Sequence, residues 1–362
     1  MKNSEFDFNS ILKELGPRGG RIRLDPVRYD LAAPWIIDQP CVFLEGNVWA
    51  YSSDPNGVFE SRCGTQLRLR GHSFPALSVG LTHTAEGCVI RDIGIQGDIE
   101  GMDTRPLLDL EHPLASSGLT LSRTRVDQAE FSKISMCGLH CGICACEDAE
   151  VDACLFERLN VDGCAVGAYF APRAAYYVRF HEWVAADNPY YGLYVNGENR
   201  QNRRMEISKI QFIRTGGAFR EGDGLVHAAV CLENVNTCVF RDNLIDDAGV
   251  FWYFSPDAAD NSAHQTHVFP TVSLYLHGNE NLISDNVISC SHAESIIIRG
   301  NQNILVNNVA DHDVVVEGNG NIVSGLFFTT PDAKLTIRGE GNQVQGIPQE
   351  RIVRDPSSVH MR

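Results

Sequence analysis

Three aspartates border the two long irregular stretches in the second half of the chain. Asp223 lies beside Glu221 in the glycine-rich segment 214–225, and the pair Asp246 and Asp247 directly precedes a second, aromatic-rich segment. Glycosyl transfer requires two carboxyl groups beside the scissile bond, one acting as acid and the other as nucleophile or base. The three aspartates are therefore the predicted catalytic residues, and Glu221 is a predicted substrate contact. The alternative is a set of solvated acids that only support turns.

The second segment, residues 251–270, contains Trp252, Tyr253, His264 and His267. Long segments on a regular scaffold are usually functional or disordered, and the aromatic content argues against disorder. All four residues are predicted to bind substrate, the rings by stacking on a sugar face and the histidines as a base or polar contacts. The alternative is a loop anchored by its own aromatic rings. A His-x-x-His spacing without further ligands is weak support for zinc, and no metal site is predicted.

A polar turn at residues 196–202 adds Glu198 and Arg200 as predicted contacts to substrate hydroxyls, with a solvated corner as the alternative. Lyase chemistry on uronates would instead need a basic residue and a charge neutraliser, often Ca²⁺ held by clustered acids. The sequence contains no phosphate-binding glycine loop, dinucleotide fingerprint or serine–histidine–aspartate pattern, and no cofactor is expected.

A repeat in the last third of the chain predicts the elements that position these residues. Short β-branched runs recur at intervals of 22, 18 and 21 residues, each ending in a glycine (Gly278, Gly300, Gly318 and Gly339). A period of about 20 residues is typical of a solenoid, and short strands with Gly or Asn corners indicate a β-solenoid rather than a leucine-rich repeat. The sequence therefore predicts an all-β fold, a single-stranded parallel β-helix.

Strand alternation predicts which side chains point into such a helix. The predicted inner face includes Ile283, Ile297, Val315, Ile322 and Ile337. Asparagines recur at one position of successive coils, at Asn281, Asn303, Asn321 and Asn342. We interpret them as a ladder that bonds turn backbone, which is a structural and not a functional device.

The repeat extends over most of the chain and sets its organisation. We predict an N-terminal capping segment at residues 1–18, a parallel β-helix of roughly 11 or 12 coils at residues 19–347, and a C-terminal tail at residues 348–362. Residues 6–16 have the apolar spacing of a short amphipathic helix that stops at a glycine. Such a helix would cover strand edges at the open end of the solenoid.

Composition and charge exclude several kinds of partner. The 362-residue chain is 43% apolar and 21% charged, as in folded proteins, and its net charge of −16 argues against nucleic acid or an anionic membrane surface. The sequence contains no run of 18 apolar residues, so no membrane-spanning helix is predicted. The first 20 residues are polar and lack the apolar core of a signal peptide. We therefore expect a cytoplasmic protein.

Twelve cysteines are scattered through the chain without the spacing of a metal site. Half of them cluster in one region, as Cys137, Cys141, Cys144, Cys146, Cys154 and Cys164. Because cysteine behaves as a small apolar residue, we predict that most are reduced, buried and metal-free. Reduced thiols also match a cytoplasmic location.

Four stretches of the sequence resemble coils of the inulin fructotransferases, a family whose members form or hydrolyse difructose anhydrides. They are residues 20–31, 87–97, 231–245 and 276–288. The resemblance implies a right-handed parallel β-helix of the pectin-lyase-like type, and a homotrimer with active sites near subunit contacts. It also implies release of cyclic difructose anhydrides from fructan ends, or their hydrolysis.

The chain departs from that family at its paired catalytic carboxylates, which lie on a middle coil. The best register places this coil at residues 131–145, with Ser132 and Ile143 at the matching positions. Neither side chain can act as an acid or base, so no catalytic residue carries over. The register is wrong, the chemistry has moved, or it has been lost.

These observations together predict a carbohydrate-active β-helix enzyme. Its predicted reaction is intramolecular fructosyl transfer on fructan ends or hydrolysis of difructose anhydride, and its predicted partners are an oligosaccharide and two further copies of the chain. A polysaccharide lyase or uronate epimerase on the same fold is the alternative enzyme. A non-catalytic carbohydrate-binding or adhesion module is the alternative outside enzymes, because the fold alone does not decide function.

Overall fold

The computed structural model describes residues 6–47, 64–69, 74–97, 116–145, 148–197, 202–217, 222, 224–254 and 264–355. Short strands dominate these residues, and each coil passes through up to four of them. Each strand pairs in parallel with its equivalent in the next coil, so that the strands form four stacks. We number the stacks 1 to 4 in the order in which a complete coil passes through them, starting from the strand Trp35–Ile37.

Stack 1 contains twelve paired strands of the described chain: Trp35–Ile37, Leu77–Val79, Ser117–Leu121, Cys141–Ala145, Val166–Phe170, Tyr191–Asn196, Ala228–Asn236, Val272–Asn279, Ile296–Arg299, Val314–Glu317, Leu335–Arg338 and Ile352–Asp355. Stack 2 is shorter and contains Ala85–Glu86, Arg125–Asp127, Glu150–Asp152, Ala174–Tyr176 and Asn202–Arg203.

Stack 3 contains Gly20–Arg23, Val42–Glu45, Val89–Gln96, Glu130–Cys137, Leu155–Glu157, Arg179–His181, Glu206–Ser208, Val239–Arg241, Leu282–Ser284, Ile304–Val306, Ile322–Ser324 and Gln343–Gln345. Stack 4 contains Arg28–Leu31, Gln66–Leu69, Asn160–Asp162, Val184–Ala186, Gln211–Ile213, Leu244–Asp246, Val287–Ser289, Val309–Ala310 and Phe327–Phe328, and the ends of Val89–Gln96 and Glu130–Cys137 continue into it. The predicted fold class, a parallel β-helix, is confirmed.

The core lies inside the coils, and its register corrects part of the prediction. Ile283 and Ile337 are buried as predicted, at 0% and 2% exposure. Ile297, Val315 and Ile322 instead point outward, and their neighbours Ile296, Ile298, Val314, Val316 and Val323 are buried. Where three consecutive residues are apolar, the sequence fits a register with the middle residue inward equally well as one with the outer two inward. A shift of one residue is therefore not visible in the sequence.

The predicted asparagine ladder is confirmed. The Nδ2 of Asn281 donates to Oδ1 of Asn303 at 3.0 Å, and the Nδ2 of Asn321 donates to Oδ1 of Asn342 at 3.1 Å. A second ladder at the bend between stacks 3 and 4 contains Asn243, Asn286 and Asn308, all of them buried. These side chains satisfy turn backbone that would otherwise be buried without hydrogen bonds.

Both ends of the helix carry additional elements. The α-helix Phe8–Leu15 buries Phe8 and Leu12, and the Phe8 ring stacks on Trp35 at 4.4 Å between centroids. At the other end a 3₁₀ turn, Gln349–Arg351, leads into the last strand of stack 1, which pairs with Leu335–Arg338 beyond the predicted boundary at residue 347. No helix in the described ranges is long and apolar enough to cross a membrane.

Ten cysteines lie in the described part of the chain, all without a disulfide, and eight of them are buried; Cys41 and Cys290 are exposed. The predicted burial of most cysteines is therefore confirmed for these ten. Burial raises the pKa of Cys137, Cys154 and Cys238 to about 12. Those thiols are protonated and inert at neutral pH. Cys63 and Cys146 lie outside the described residues.

Candidate functional site

The candidate site lies at the corner where the chain leaves stack 4 and enters stack 1. Parallel register places Asp162 and Asp246 in one row of stack 4. The next residue of each coil adopts a left-handed turn, and in successive coils this residue is Asp187, Arg214, Asp247 and Cys290, with φ between 49° and 55°. We call these six residues, Asp162, Asp187, Arg214, Asp246, Asp247 and Cys290, the acidic corner.

Arg214 is the cation at the centre of the acidic corner. Its Nε and Nη2 donate to the two carboxylate oxygens of Asp187 at 2.6 and 2.7 Å. Asp187 and Asp162 are 8% and 6% exposed, so this corner holds buried negative charge. The hydrogen bonds to Asp187 and the charges of Asp187, Asp162 and Asp247 raise the pKa of Arg214, against the opposing effect of burial.

Asp246, Asp247 and Cys290 form the solvent-facing part of the corner. Each offers an oxygen or sulfur atom, and these atoms lie within 4.8 Å of one another. Ser289 Oγ donates to Asp246 Oδ1 at 2.7 Å and fixes that carboxylate. Burial and the charges of Asp246 and Asp247 raise the pKa of the Cys290 thiol. One carboxylate oxygen of Asp246 and one of Asp247 lie within 4.8 Å of each other, which is shorter than the roughly 6.5–9.5 Å needed for direct attack by an interposed water.

Both predicted insertions follow this corner, and their described first residues are hydrogen-bonded. The amide of Gly249 donates to the Thr215 carbonyl at 2.8 Å, and the amide of Phe269 donates to the Gly249 carbonyl at 3.0 Å. Gly249 has φ +82°, and a β-carbon there would lie 2.3 Å from the Phe269 carbonyl oxygen. Only glycine therefore lets the end of the second insertion pass this close to its start.

The second insertion is an antiparallel hairpin of Val250–Phe254 and His264–Val268. Trp252, Tyr253, His264 and His267 belong to its two strands, with Phe251 opposite His267 in the register. Of the remaining predicted site residues, Asp246 and Asp247 lie together as described, and four fall outside the described residues: Glu198, Arg200, Glu221 and Asp223.

The two positions matched to the family's catalytic pair are occupied by structural side chains. Ser132 donates from Oγ to Glu130 at 2.7 Å on stack 3. Ile143 is fully buried inside stack 1. An inward position cannot present a carboxylate to a substrate, so in this register a catalytic pair has to be sought elsewhere on the surface.

Sequence reasoning missed Arg214 and Asp187 as members of the site. The sequence feature that could have identified them is a charged residue that directly follows the stack 4 strand in consecutive coils. It also missed a second group on the outer surface, Glu157, His181 and Glu182, whose ligand atoms lie within 4.8 Å of one another. Arg158 Nε is 3.0 Å from Glu182, and Lys209 Nζ is 3.9 Å from it. That group is therefore an ion-pair network, although its donor set suits a divalent metal.

No protein-family model matches the sequence, and no curated protein matches it. Solved structures do match the fold. DFA-IIIase from Arthrobacter chlorophenolicus A6 in complex with GF2 superposes with a TM-score of 0.71 at 14% identity, covering 96% of this chain and 91% of that chain. The same enzyme without its lid gives 0.67 at 13% identity, covering 99% and 98%. A mutant of that enzyme in complex with DFA-III gives 0.66 at 12% identity, covering 100% and 99%. At such identities the likeness shows the parallel β-helix fold.

Proposed function

We propose that this chain is a fructan-processing enzyme that transfers or hydrolyses fructosyl units with Asp246 and Asp247 as its carboxylate pair. The observation that carries the proposal is the approach of these two carboxylates at a solvent-facing turn, within 4.8 Å at the base of the hairpin. The whole-chain likeness to DFA-IIIase bound to GF2 or DFA-III supports a fructose-containing oligosaccharide as the substrate.

The two carboxyl groups take complementary roles in the proposed reaction. One protonates the leaving oxygen, while the other attacks the anomeric carbon and forms a fructosyl ester. The first group then removes a proton from a hydroxyl of the same substrate or from water, and that oxygen attacks the anomeric carbon and displaces the carboxylate, which breaks the ester. The short spacing supports this covalent route, since direct attack needs about 6.5–9.5 Å for the water. The Ser289 hydroxyl holds Asp246 in place during both steps.

Substitution of each aspartate tests the proposal. We expect wild-type turnover of inulin or difructose anhydride, and a loss of at least about a hundredfold in kcat in Asp246→Asn and Asp247→Asn. Asp242→Asn is the matched control, because Asp242 lies in the same coil in the same left-handed conformation (φ 56°) but at another corner. Full activity in both site variants would exclude Asp246 and Asp247 as the catalytic pair. If the wild-type protein turns over no fructan, the proposed substrate class is wrong.

We also propose a homotrimer, as the family resemblance implies. Support comes from the outer surface of stacks 3 and 4, where Val287, Ile304 and Phe327 are 43%, 37% and 63% exposed in successive coils. Exposed apolar rows of this kind are typical of subunit contacts. Light scattering at micromolar concentration should give three times the chain mass, and a monomer would contradict the proposal.

A further inference from the structure

A polar groove of about 690 Å³ opens at the corner between stacks 2 and 3, lined by Arg203, Arg204, Asn234, Thr237, His277 and Gly278 among others. We call it the arginine groove. Its volume lies within the roughly 300–1,000 Å³ range of small-molecule sites. It occupies the same coils as the proposed catalytic pair, but the strands Val239–Arg241 and Leu244–Asp246 separate the two corners.

In the described part of the chain, no carboxylate pairs with Arg203 or Arg204 of the groove. Arg203 makes no ion pair or hydrogen bond through its side chain within the described residues. Arg204 donates to the Tyr177 hydroxyl at 2.5 Å and lies 5.4 Å from the centre of that ring, so a neutral partner holds it. His277 also lines the groove, and Glu280 is the acidic residue among the described lining residues. Two uncompensated guanidinium groups in a chain of net charge −16 make a localised anion site.

The floor of the groove is shaped by a β-bulge. The register between Ala228–Asn236 and Val272–Asn279 shifts between Glu233 and Val235, so that Asn234 is an extra residue with φ 55°. Bulges often re-aim a side chain beside a functional site. Opposite the bulge, Gly278 has no side chain, and a β-carbon there would lie 1.7 Å from the Val235 carbonyl oxygen. The glycine therefore lets the two backbones approach closely at the bulge.

Hydrogen-bonding groups on the floor are fixed in position. Asn236 Oδ1 accepts from the backbone and side-chain amides of Asn279 at 3.1 and 3.2 Å, and Asn279 Oδ1 accepts from the amide of Asn301 at 2.9 Å. The Oγ1 of Thr237 is buried and has no hydrogen-bond partner among the described residues. Aligned amides suit the hydroxyl groups of a sugar.

We propose that the arginine groove binds an acidic sugar, with its anionic group on Arg203 and Arg204 and its hydroxyl groups on the asparagine floor. Guanidinium groups bind carboxylate and phosphate in the same bidentate manner, so a uronate and a sugar phosphate share the recognised chemistry. The groove is a second ligand site, separate from the fructosyl chemistry proposed for Asp246 and Asp247.

Calorimetric titration of the full chain with trigalacturonic acid, fructose 6-phosphate and a neutral inulin trisaccharide tests this proposal. We expect binding of an anionic probe that weakens at least about tenfold in Arg203→Gln and in Arg204→Gln, because each variant loses a charged hydrogen-bond donor. The two anionic arms distinguish a carboxylate from a phosphate ligand. Arg179→Gln is the matched control, because Arg179 is an exposed arginine of stack 3 outside the groove, and it should bind as wild type does.

Absence of binding for both anionic probes would overturn the proposal, and so would equal affinity in wild type and the two groove variants. Binding of the neutral trisaccharide as tight as that of the anionic probes would overturn it as well. Turnover of inulin is measured separately, so failure of the fructan proposal and failure of the acidic-sugar site give different results.

Discussion

Two hydrogen bonds of 2.6 and 2.7 Å join the guanidinium of Arg214 to the carboxylate of Asp187 in the preceding coil. Replacement of Arg214 by Gln would leave a nearly buried carboxylate without its counter-charge. We expect the unfolding free energy to fall by about 2–3 kcal/mol. This is less than for a fully buried ion pair, because the arginine side chain is 30% exposed and water partly screens the charge. Urea unfolding measures it. The double variant Asp187→Asn/Arg214→Gln should lose less than Arg214→Gln alone, and a single variant as stable as wild type would contradict the assignment.

The ladder of Asn243, Asn286 and Asn308 should contribute more to stability than exposed asparagines of the turns do. Asn286 donates to the Phe240 carbonyl and to Asn308, and accepts from the backbone amide of Asn243, at distances of 2.9–3.1 Å. Asn286→Ala leaves these groups buried without partners, so we expect a loss of about 2–4 kcal/mol in urea unfolding. Asn319→Ala is the control, because Asn319 is exposed and water replaces its hydrogen bonds. Equal losses in the two variants would contradict this account.

Asp311 should give stability a specific dependence on pH. Burial acts to raise its pKa, but hydrogen bonds from the Ser291 amide at 2.8 Å and the Ser295 hydroxyl at 2.9 Å outweigh burial and lower it. A lowered folded pKa stabilises the protein above the unfolded value of about 3.9, and this contribution is lost as pH falls through the folded pKa. The stability difference between wild type and Asp311→Asn should therefore be constant above about pH 5 and shrink below pH 4. Asp332→Asn, an exposed acid, should show no such trend, and a difference that grows on acidification would refute the assignment.

The exposed thiol of Cys290 should report on the carboxylate pair. Because burial and the charges of Asp246 and Asp247 raise its pKa, the thiolate fraction at neutral pH is small. Asp247→Asn should speed alkylation of Cys290 by iodoacetamide severalfold, whereas Asp242→Asn should leave the rate unchanged. Peptide mass spectrometry resolves the site of alkylation. A slower or unchanged rate in Asp247→Asn would show that the two groups do not interact.

The fold could be predicted from the sequence, and the composition of the site only in part. Glycines and asparagines recur at turn positions because the turn backbone requires a residue without a side chain or a side chain that hydrogen-bonds to it. Their spacing therefore gives the length of each coil. Runs such as Ile296–Ile298 hide the inward register, because all three residues are apolar. Asp246 and Asp247 were found because they precede an irregular segment. Asp187 and Arg214 were missed because the coils around them differ in length, and a fixed period does not align them.

The arginine groove was also not visible in the sequence. It depends on the bulge at Asn234, where one extra residue changes the register of a strand that otherwise pairs regularly. Nothing in the local composition marks that position as a bulge. In the sequence Arg203 and Arg204 form a local basic patch with Arg200, but the groove in front of the two described arginines is seen only in the structure.

Detection of a covalent ester between the sugar and the enzyme tests whether Asp246 and Asp247 act as nucleophile and acid–base group. The variants Asp246→Asn and Asp247→Asn are incubated with difructose anhydride, quenched in acid and analysed by intact and peptide mass spectrometry. In the variant that retains the nucleophile but lacks the acid–base group, we predict an added mass of one whole difructose anhydride on the peptide that contains residues 246 and 247, because cleavage of one of its two linkages leaves the two sugars joined. Full turnover in both variants, or an adduct on a peptide elsewhere in the chain, would contradict the account.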